Sequence, residues 1–214
     1  FPVTAVAAAA WAEAAGWGVL ALLGLPLWGQ AVLAFVLLDL AIWAQHRLFH
    51  AVPWLWRLHR VHHADPEIDA TTGVRFHPAE IVLSMAIKLA VVVGLGAPAV
   101  AVLAFEVVLN ATALFSHSNI ALSPAWQRRL SWALVTPAMH RIHHSERRAE
   151  TDSNFGFNLP WWDWLFGTYR AEAAAGDAGL RIGIGRFGAA ADQRIDKLLM
   201  QPLAGEGPDH SAVR

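Results

Sequence analysis

The 214-residue sequence contains no cysteine and few charged side chains. Without cysteine the chain forms no disulfide and offers no thiolate, so any metal must be bound by nitrogen and oxygen ligands. Charged residues make up 15% of the chain, against about a quarter in typical globular proteins, and hydrophobic residues make up 56%. This composition disfavours a disordered chain, a coiled coil and a nucleic-acid binder, and it favours a membrane protein.

Four apolar segments approach the length of about 20 residues that a membrane-crossing helix needs. They cover residues 3–25, 28–45, 79–95 and 98–115. Pro26 and Pro98 mark short turns between the members of each pair. The sequence therefore predicts an all-α integral membrane protein with about four transmembrane helices, arranged as two hairpins.

The arginines lie at one end of the predicted spans. The two far turns, residues 25–29 and 94–98, contain neither Lys nor Arg. The segments at the opposite ends carry Arg47, Arg57, Arg60, Arg75, Arg128, Arg129, Arg141, Arg147 and Arg148. Because basic residues concentrate on the cytoplasmic side of membrane proteins, this end is predicted to be cytoplasmic.

Charged residues inside the predicted spans, among them Asp39, Lys88 and Glu106, need partners or a function. If the third and fourth spans fold back at Ala97, Lys88 and Glu106 reach the same depth, so we expect an ion pair, with a substrate or proton role as the alternative. Asp39 lies two helical turns before His46, about 10 Å along the helix axis. We expect Asp39 to orient a neighbouring group rather than to bind metal.

Ten of the eleven histidines fall between residues 46 and 144, most of them at helical spacings. His46 and His50 are four residues apart, so both rings lie on one helical face. The sequence His-Arg-x-His-His occurs twice, as His59, His62 and His63 and again as His140, His143 and His144. His117 follows the fourth span. The predicted topology brings all these groups to the same membrane face.

So many imidazoles packed together without metal would be unstable, because protonated rings repel one another and neutral rings need partners. A single zinc site uses three or four protein ligands, so nine histidines indicate two metal ions. Imidazole suits zinc, copper, iron and nickel alike, and the ligand type therefore does not choose among these metals.

Together these motifs resemble the membrane-bound fatty acid hydroxylase and sterol desaturase superfamily, which includes alkylglycerol monooxygenase-like members. The similar segments lie at residues 39–50, 56–63, 117–119, 136–145, 154–156 and 162–169. The resemblance implies a membrane enzyme with a di-iron centre that uses O2 and two electrons to hydroxylate or desaturate a lipid C–H bond. The implied iron ligands are His46, His50, His59, His62, His63, His117, His140, His143 and His144.

Several polar residues near these motifs are candidates for supporting the metal ligands. They are His77, Asn119, Asn154 and Asp39. His77 is also a candidate ligand, with an interfacial residue as the alternative, and loop capping is the alternative for the two asparagines. Asp163 and Trp164 are expected to fix the fold of their loop, and His210 is expected to take no part. The fold is predicted to comprise a catalytic unit, residues 1–170, whose cytoplasmic helical cap carries the histidines, and a peripheral cytoplasmic segment, residues 171–214.

The expected partners follow from the chemistry. The substrate would be a membrane lipid such as a sterol, a fatty acyl chain or an ether lipid. No dinucleotide-binding, P-loop or haem-attachment motif is present, so we expect the electron donor to be another protein. The family resemblance implies that this donor is a separate reductase or b-type cytochrome. Two alternatives stay open: a zinc hydrolase, for which Asp65, Glu67 and Asp69 offer carboxylates, and a metal transporter or sensor. The oligomeric state is not predicted.

Overall fold

The computed structural model describes residues 2–205, and helices dominate that part of the chain. The α-helices are α1 (Pro2–Ala14), α2 (Leu27–Ala51), α3 (Pro53–His63), α4 (Pro78–Leu95), α5 (Ala99–Ser116), α6 (Pro124–Leu130), α7 (Pro137–His143), α8 (Arg148–Thr151), α9 (Trp161–Leu165), α10 (Gly176–Gly179) and α11 (Ile195–Met200). Short 3-10 helices lie at Leu20–Leu23, Ala70–Val74, Ala190–Gln193 and Gln201–Leu203. No β-strand occurs within residues 2–205, so the predicted all-α class is confirmed.

Among the described residues, α2, α4 and α5 are long and apolar enough to cross a membrane. α4 and α5 form the predicted second hairpin, because α4 ends at Leu95 and Gly96 adopts a left-handed φ of 63° before α5 begins. α2 continues six residues beyond the predicted end of the second span, to Ala51. This extension keeps His46 and His50 on one continuous helix.

The predicted first span, residues 3–25, is not one continuous helix. α1 has 13 residues and ends at Ala14, after which Gly16 and Gly18 take positive φ angles of 67° and 111°. Thirteen residues rise about 20 Å, less than the roughly 30 Å of a bilayer's hydrocarbon core. The structure therefore does not confirm residues 3–25 as a membrane span, and three of the four predicted spans are present as long apolar helices within residues 2–205. Uniform apolar composition concealed the break, because two glycines can end a helix without any change in hydrophobicity.

Small side chains allow α1 to pack closely against the hairpin. Ala5 and Ala9 of α1, Ala34 of α2 and Ala101 of α5 belong to one buried cluster around Phe105. Small residues at helix contacts let backbones approach and gain dispersion energy in an apolar environment, where burial supplies little additional driving force. At the far turns, glycines allow an equally close approach of two backbone segments. A Cβ atom on Gly18 would lie 2.1 Å from the Gly96 nitrogen.

Lys88 and Glu106 form the predicted ion pair. Lys88 Nζ on α4 donates to Glu106 Oε1 on α5 at 2.6 Å, and the Glu106 side chain is 3% exposed. The hairpin places the two residues at the same depth, as a fold-back at Ala97 requires. Each charge therefore neutralises the other where an unpaired charge would be costly.

Exchanging the two charges is expected to preserve the protein, whereas reversing one is expected to destabilise it. Lys88→Glu or Glu106→Lys alone places two like charges together and should cost about 3–5 kcal/mol, the usual cost of breaking a buried pair. The double exchange restores the attraction. Thermal unfolding in detergent measures all three variants. Equal loss of stability in all of them would contradict a structural role for the pair.

The segment after residue 170 is packed against α3 rather than extending away from it. Arg57 and Arg60 of α3 each donate to the carbonyl of Ala204, at 3.0 and 2.7 Å. Gln201 is 3% exposed, and Arg75 donates to Gln193. This segment therefore covers the outer side of a helix that carries three of the clustered histidines.

Candidate metal centre

Nine buried histidines form two adjacent groups. Within each group, one nitrogen from every ring lies within 4.8 Å of the corresponding nitrogen of every other ring. The five-histidine group contains His46, His50, His59, His63 and His143. The four-histidine group contains His62, His117, His140 and His144. All nine side chains are those predicted from the sequence, and each residue is at most 3% exposed.

The two His-Arg-x-His-His helices each contribute to both groups. α3 provides His59 and His63 to the five-histidine group and His62 to the other. α7 and its C-terminal cap provide His140 and His144 to the four-histidine group and His143 to the other. Residues four apart share a helical face and the intervening histidine points to the neighbouring group, so the repeated motif builds two adjacent sites. α2 adds two rings, and the end of α5 adds His117.

The inner ring nitrogens face one another at short distances. In the five-histidine group, His59 Nε2 lies 3.1 Å from His46 Nε2 and 3.2 Å from His63 Nε2. In the four-histidine group, His117 Nε2 lies 3.2 Å from His62 Nε2 and 2.9 Å from His140 Nε2. These are the convergent arrangements that a common metal ion requires of its ligands.

The outer nitrogens of six rings are held by hydrogen-bond acceptors. The Phe155 carbonyl accepts from His46 Nδ1 at 2.8 Å, and the Ser153 carbonyl accepts from His143 Nδ1 at 2.7 Å. The Ala113 carbonyl accepts from His117 Nδ1 at 2.7 Å, and the Arg75 carbonyl accepts from His62 Nδ1 at 3.2 Å. Glu80 accepts from His59 Nδ1 at 2.6 Å, and Asp152 accepts from His50 Nδ1 at 3.2 Å. A carbonyl can only accept, so Nδ1 carries the proton and Nε2 of the neutral ring carries a lone pair.

Within each group, the lone pairs of neighbouring Nε2 atoms face one another, which indicates a site for a cation. His46 and His59 both donate through Nδ1, yet their Nε2 atoms are 3.1 Å apart. The same conflict holds for His62 and His117 in the other group. His50 Nε2 and His143 Nε2 are buried and reach no hydrogen-bond partner within residues 2–205. A metal ion in each group would satisfy these nitrogens, and orientation of a ligand ring by a hydrogen bond at its other nitrogen is the usual arrangement at metal sites.

Burial keeps six of these rings in the neutral form that binds metal. Loss of hydration lowers the pKa of His117 from 6.5 to about 4 and the pKa of His143 to about 3. The same burial, reinforced by neighbouring imidazoles, lowers the pKa of four further rings well below 6.5: His62, His63, His140 and His144. At neutral pH they therefore present lone pairs without first having to lose a proton.

Acid is expected to destabilise the metal-free protein. Below about pH 6.5 the unfolded chain binds protons at its histidines, while the folded His117 and His143 stay neutral until about pH 4 and pH 3. The two neutral rings therefore stabilise the fold fully above pH 6.5. As the pH falls below this value, each ring lowers the free energy of unfolding by up to about 1.4 kcal/mol per pH unit. Thermal unfolding of the metal-free protein between about pH 7.5 and 5 tests this. An unchanged unfolding temperature would contradict it.

Comparison with known proteins identifies the family. A family model described as fatty acid hydroxylase matches residues 31–168, more than half of the chain. The chain belongs to the fatty acid hydroxylase family. The expected family resemblance is thereby confirmed.

Two curated relatives of this fatty acid hydroxylase family member are lipid enzymes by name. Ornithine lipid hydroxylase OlsE of Rhizobium tropici is 33% identical over 144 residues, which is 67% of this chain and 43% of that protein. Alkylglycerol monooxygenase of Homo sapiens is 29% identical over 142 residues, which is 65% of this chain and 30% of that protein. The chain thus spans less than half the length of these relatives. No solved structure matches the chain.

The four predicted supporting residues of this family member lie in different environments. Asn154 is buried, and its side chain donates to the Met139 and Arg170 carbonyls at 3.0 and 2.9 Å, which ties α7 to the following loop. Asp39 accepts from Trp162 Nε1 at 2.7 Å. Both therefore act on the polypeptide around the site rather than on a histidine ring.

The other two predicted supporting residues, His77 and Asn119, are not brought to the histidine groups. His77 caps α4 by accepting from the Ala79 nitrogen at 3.1 Å, and its other ring nitrogen lies 3.2 Å from the Leu199 carbonyl oxygen. Asn119 is exposed beyond the end of α5. The residue before Pro78 is the natural cap of a helix, which explains His77 without any metal. His210 lies outside the described residues.

Asp163 holds the loop that carries the carbonyl partner of His46. The Asp163 carboxylate accepts from the backbone nitrogens of Phe155 and Gly156 at 2.9 and 2.8 Å, from Trp43 Nε1 at 3.0 Å and from Thr168 Oγ1 at 2.6 Å. The residue is fully buried. The expectation that it fixes the loop agrees with these four contacts.

Sequence reasoning missed Glu80 and Asp152, whose carboxylates accept from histidine rings. Glu80 is 21 residues from His59, and Asp152 is 102 residues from His50, so no local spacing connects either pair. One signal was available for Glu80: it is an acidic residue in the first turn of an apolar helix, and it is 5% exposed. A charge at such a place requires a partner.

Proposed function

We propose that this protein is a membrane-bound di-iron oxygenase that uses O2 and two electrons to hydroxylate a C–H bond of a lipid. The observation that carries the proposal is the pair of histidine groups in which neutral rings face one another through their lone pairs. The names of two relatives, ornithine lipid hydroxylase and alkylglycerol monooxygenase, support hydroxylation rather than desaturation.

Iron is the proposed metal on chemical grounds. Imidazole binds several transition metals, so the ligands alone do not decide. Family membership favours iron, and the absence of cysteine suits an oxidising centre, because a nearby thiolate would itself be oxidised. When bound, the two irons supply activation of O2 for insertion into a C–H bond.

The protein's own groups hold and orient the rings around that chemistry. Glu80 and Asp152 fix the proton of His59 and His50 on Nδ1, so that the Nε2 lone pairs point inward. Four backbone carbonyls do the same for other rings. Because all nine side chains are buried, bulk water is kept from the centre and does not compete with the lipid.

A cavity of about 250 Å³ gives the lipid a place beside the five-histidine group. His46 and His59 form part of its wall, together with apolar side chains of α2, α4 and α5 such as Ile42, Met85 and Leu109. All three helices are membrane-span candidates, which supports a substrate that resides in the bilayer. Electrons would come from a separate reductase or b-type cytochrome at the aqueous side.

The two alternative functions receive less support. Of the three carboxylates considered for a zinc hydrolase, Asp65 and Asp69 accept from Thr72 Oγ1 and from the Thr71 nitrogen, and Glu67 is exposed. None of these three residues lines the cavity beside the five-histidine group. A metal transporter needs a cation path through the spans. The clustered histidines instead lie at the arginine-rich ends of the spans, and the far turns, residues 25–29 and 94–98, contain no histidine.

The arginine-rich end is proposed to face the cytoplasm, and the absence of cysteine makes this easy to test. A cysteine at exposed Arg128 should react with a membrane-impermeant maleimide only from the cytoplasmic side. A cysteine at Leu22, which is 83% exposed near the far turns, should react only from the opposite side. The cysteine-free parent protein is the control. Reversed labelling would place the centre on the other face.

Oxygen-isotope incorporation tests the proposed reaction. The purified protein, loaded with iron and supplied with a reductant and a bacterial lipid extract, should place one heavy oxygen atom from labelled O2 into a lipid. The protein prepared without metal is the control. Lipid cleavage that requires no O2, or heavy oxygen that comes from labelled water, would contradict the proposal.

A further inference from the structure

The cavity beside the five-histidine group has an unusual polar stripe for a space between membrane helices. Glu80, Ser84 and Lys88 are four residues apart on α4 and all line this cavity. Residues four apart lie on one helical face, so the stripe runs about 12 Å along the helix, from the histidines toward mid-span. A channel for a hydrocarbon tail would be apolar along this length.

Two hydrogen-bond acceptors in the cavity wall are buried and unsatisfied. Glu80 uses Oε1 for His59, whereas its Oε2 reaches no donor in residues 2–205. Gln45, the neighbour of His46 on α2, donates through Nε2 to Ser84 Oγ at 2.9 Å, and its Oε1 likewise reaches no donor there. A buried acceptor without a donor is destabilising, and a ligand that supplies donors removes that cost.

We infer that this cavity receives the polar head group of the lipid, whose hydrogen-bond donors bind Gln45 Oε1 and Glu80 Oε2 beside His46 and His59. The inference rests on the proposed function and deepens it by naming the substrate class: a lipid with hydroxyl or ammonium donors on its head group. The carbon to be hydroxylated then lies in the head group or directly next to it, not in the interior of an acyl chain.

The contrast with a hydrocarbon ligand makes the inference specific. An acyl chain in the cavity would displace water and leave both acceptors, Gln45 Oε1 and Glu80 Oε2, permanently unpaired. A site built around hydrogen bonds discriminates strongly against an analogue that lacks the donor, whereas an apolar pocket discriminates weakly between chain lengths. Donor content of the head group, rather than chain length, should therefore govern recognition.

Binding of matched lipids tests the inference without requiring turnover. The probes are an alkylglycerol and its di-O-methyl derivative, and an ornithine lipid and its N-trimethylated derivative, measured by native mass spectrometry on the full chain in detergent. At least one donor-bearing lipid should bind at least about tenfold more tightly than its methylated partner, the discrimination expected when a buried acceptor loses its donor. If neither donor-bearing lipid binds more tightly than its methylated partner, the inference is overturned.

Two matched glutamine variants test whether the preference for the donor-bearing lipid arises in this cavity. Gln45→Leu should reduce the preference for the donor-bearing lipid by at least about threefold, because one acceptor is removed from the cavity. Gln30→Leu, the same change on the same helix but at a side chain whose hydrogen bond within residues 2–205 is to the Leu25 carbonyl, should keep the full preference. Equal loss in both variants, or none in Gln45→Leu, would overturn the assignment of the head group to this cavity.

The position of the new hydroxyl distinguishes this inference from the proposed function. Fragmentation mass spectrometry of the product should place the added oxygen on the head group or on the adjoining carbon. An added oxygen in the interior of an acyl chain would overturn the inference and leave lipid hydroxylation intact. A donor-dependent binding preference without O2-dependent oxidation would support the head-group site and overturn the proposed reaction.

Discussion

Replacing His140 by alanine is expected to reduce the bound metal from two ions per chain to one and to abolish most hydroxylation. His140 is fully buried, and its Nε2 lies 2.9 Å from His117 Nε2 and 3.2 Å from His144 Nε2. Three rings would remain in that group, while the five-histidine group keeps all its ligands. Each 1.4 kcal/mol of lost transition-state stabilisation slows a reaction about tenfold, and a catalytic metal supplies several kcal/mol. We therefore expect the hydroxylation rate to fall by roughly a thousandfold.

His77→Ala is the matched control for this prediction. His77 is also a histidine near the arginine-rich end of a span, but its contacts are with the start of α4 and the Leu199 carbonyl. We expect two ions per chain and activity within a few-fold of the parent protein. Loss of metal in His77→Ala together with unchanged metal in His140→Ala would contradict the assignment of ligands to the two histidine groups.

Asp163→Ala is expected to destabilise the protein more than any of the other substitutions. Alanine removes the common acceptor of the Phe155 and Gly156 nitrogens, Trp43 Nε1 and Thr168 Oγ1, all in a fully buried position. Leaving buried donors unpaired costs about 1–3 kcal/mol each, and removing one partner of a buried charged network costs about 3–5 kcal/mol. We expect a loss at the upper end of that range.

The metal centre should be affected as well, because the Phe155 carbonyl orients His46. Thermal unfolding in detergent and metal content after purification measure the two consequences. Asp177→Ala, a substitution at an exposed position, is the control and should change the unfolding temperature by little. If Asp163→Ala were as stable as this control, the four contacts would have no structural importance.

The histidine groups could be predicted from the sequence because their information is local. Spacings of three and four residues place His59, His62 and His63 on one side of α3, and the repeated motif does the same on α7. The depth of the Lys88–Glu106 pair also followed from simple counting along a hairpin. In these cases helical periodicity and one turn position determine which side chains meet.

The remaining features depend on contacts between distant parts of the chain. The pairing of His50 with Asp152 and the hub at Asp163 link α2 to residues more than 100 positions away, and no spacing rule connects them. The end of α1 depends on glycine dihedral angles within an evenly apolar stretch, so hydrophobicity alone could not locate it. His77 resembled the other histidines in sequence, but its place before Pro78 makes it a helix cap.

Metal stoichiometry tests the central claim most directly. Elemental analysis of the purified full chain, prepared with iron available and without chelator, should find two irons per chain, and His140→Ala should find one. These values follow from one ion in each of the two histidine groups. One zinc per chain with no iron, or iron content that is unchanged in His140→Ala, would contradict a di-iron centre built from these two groups.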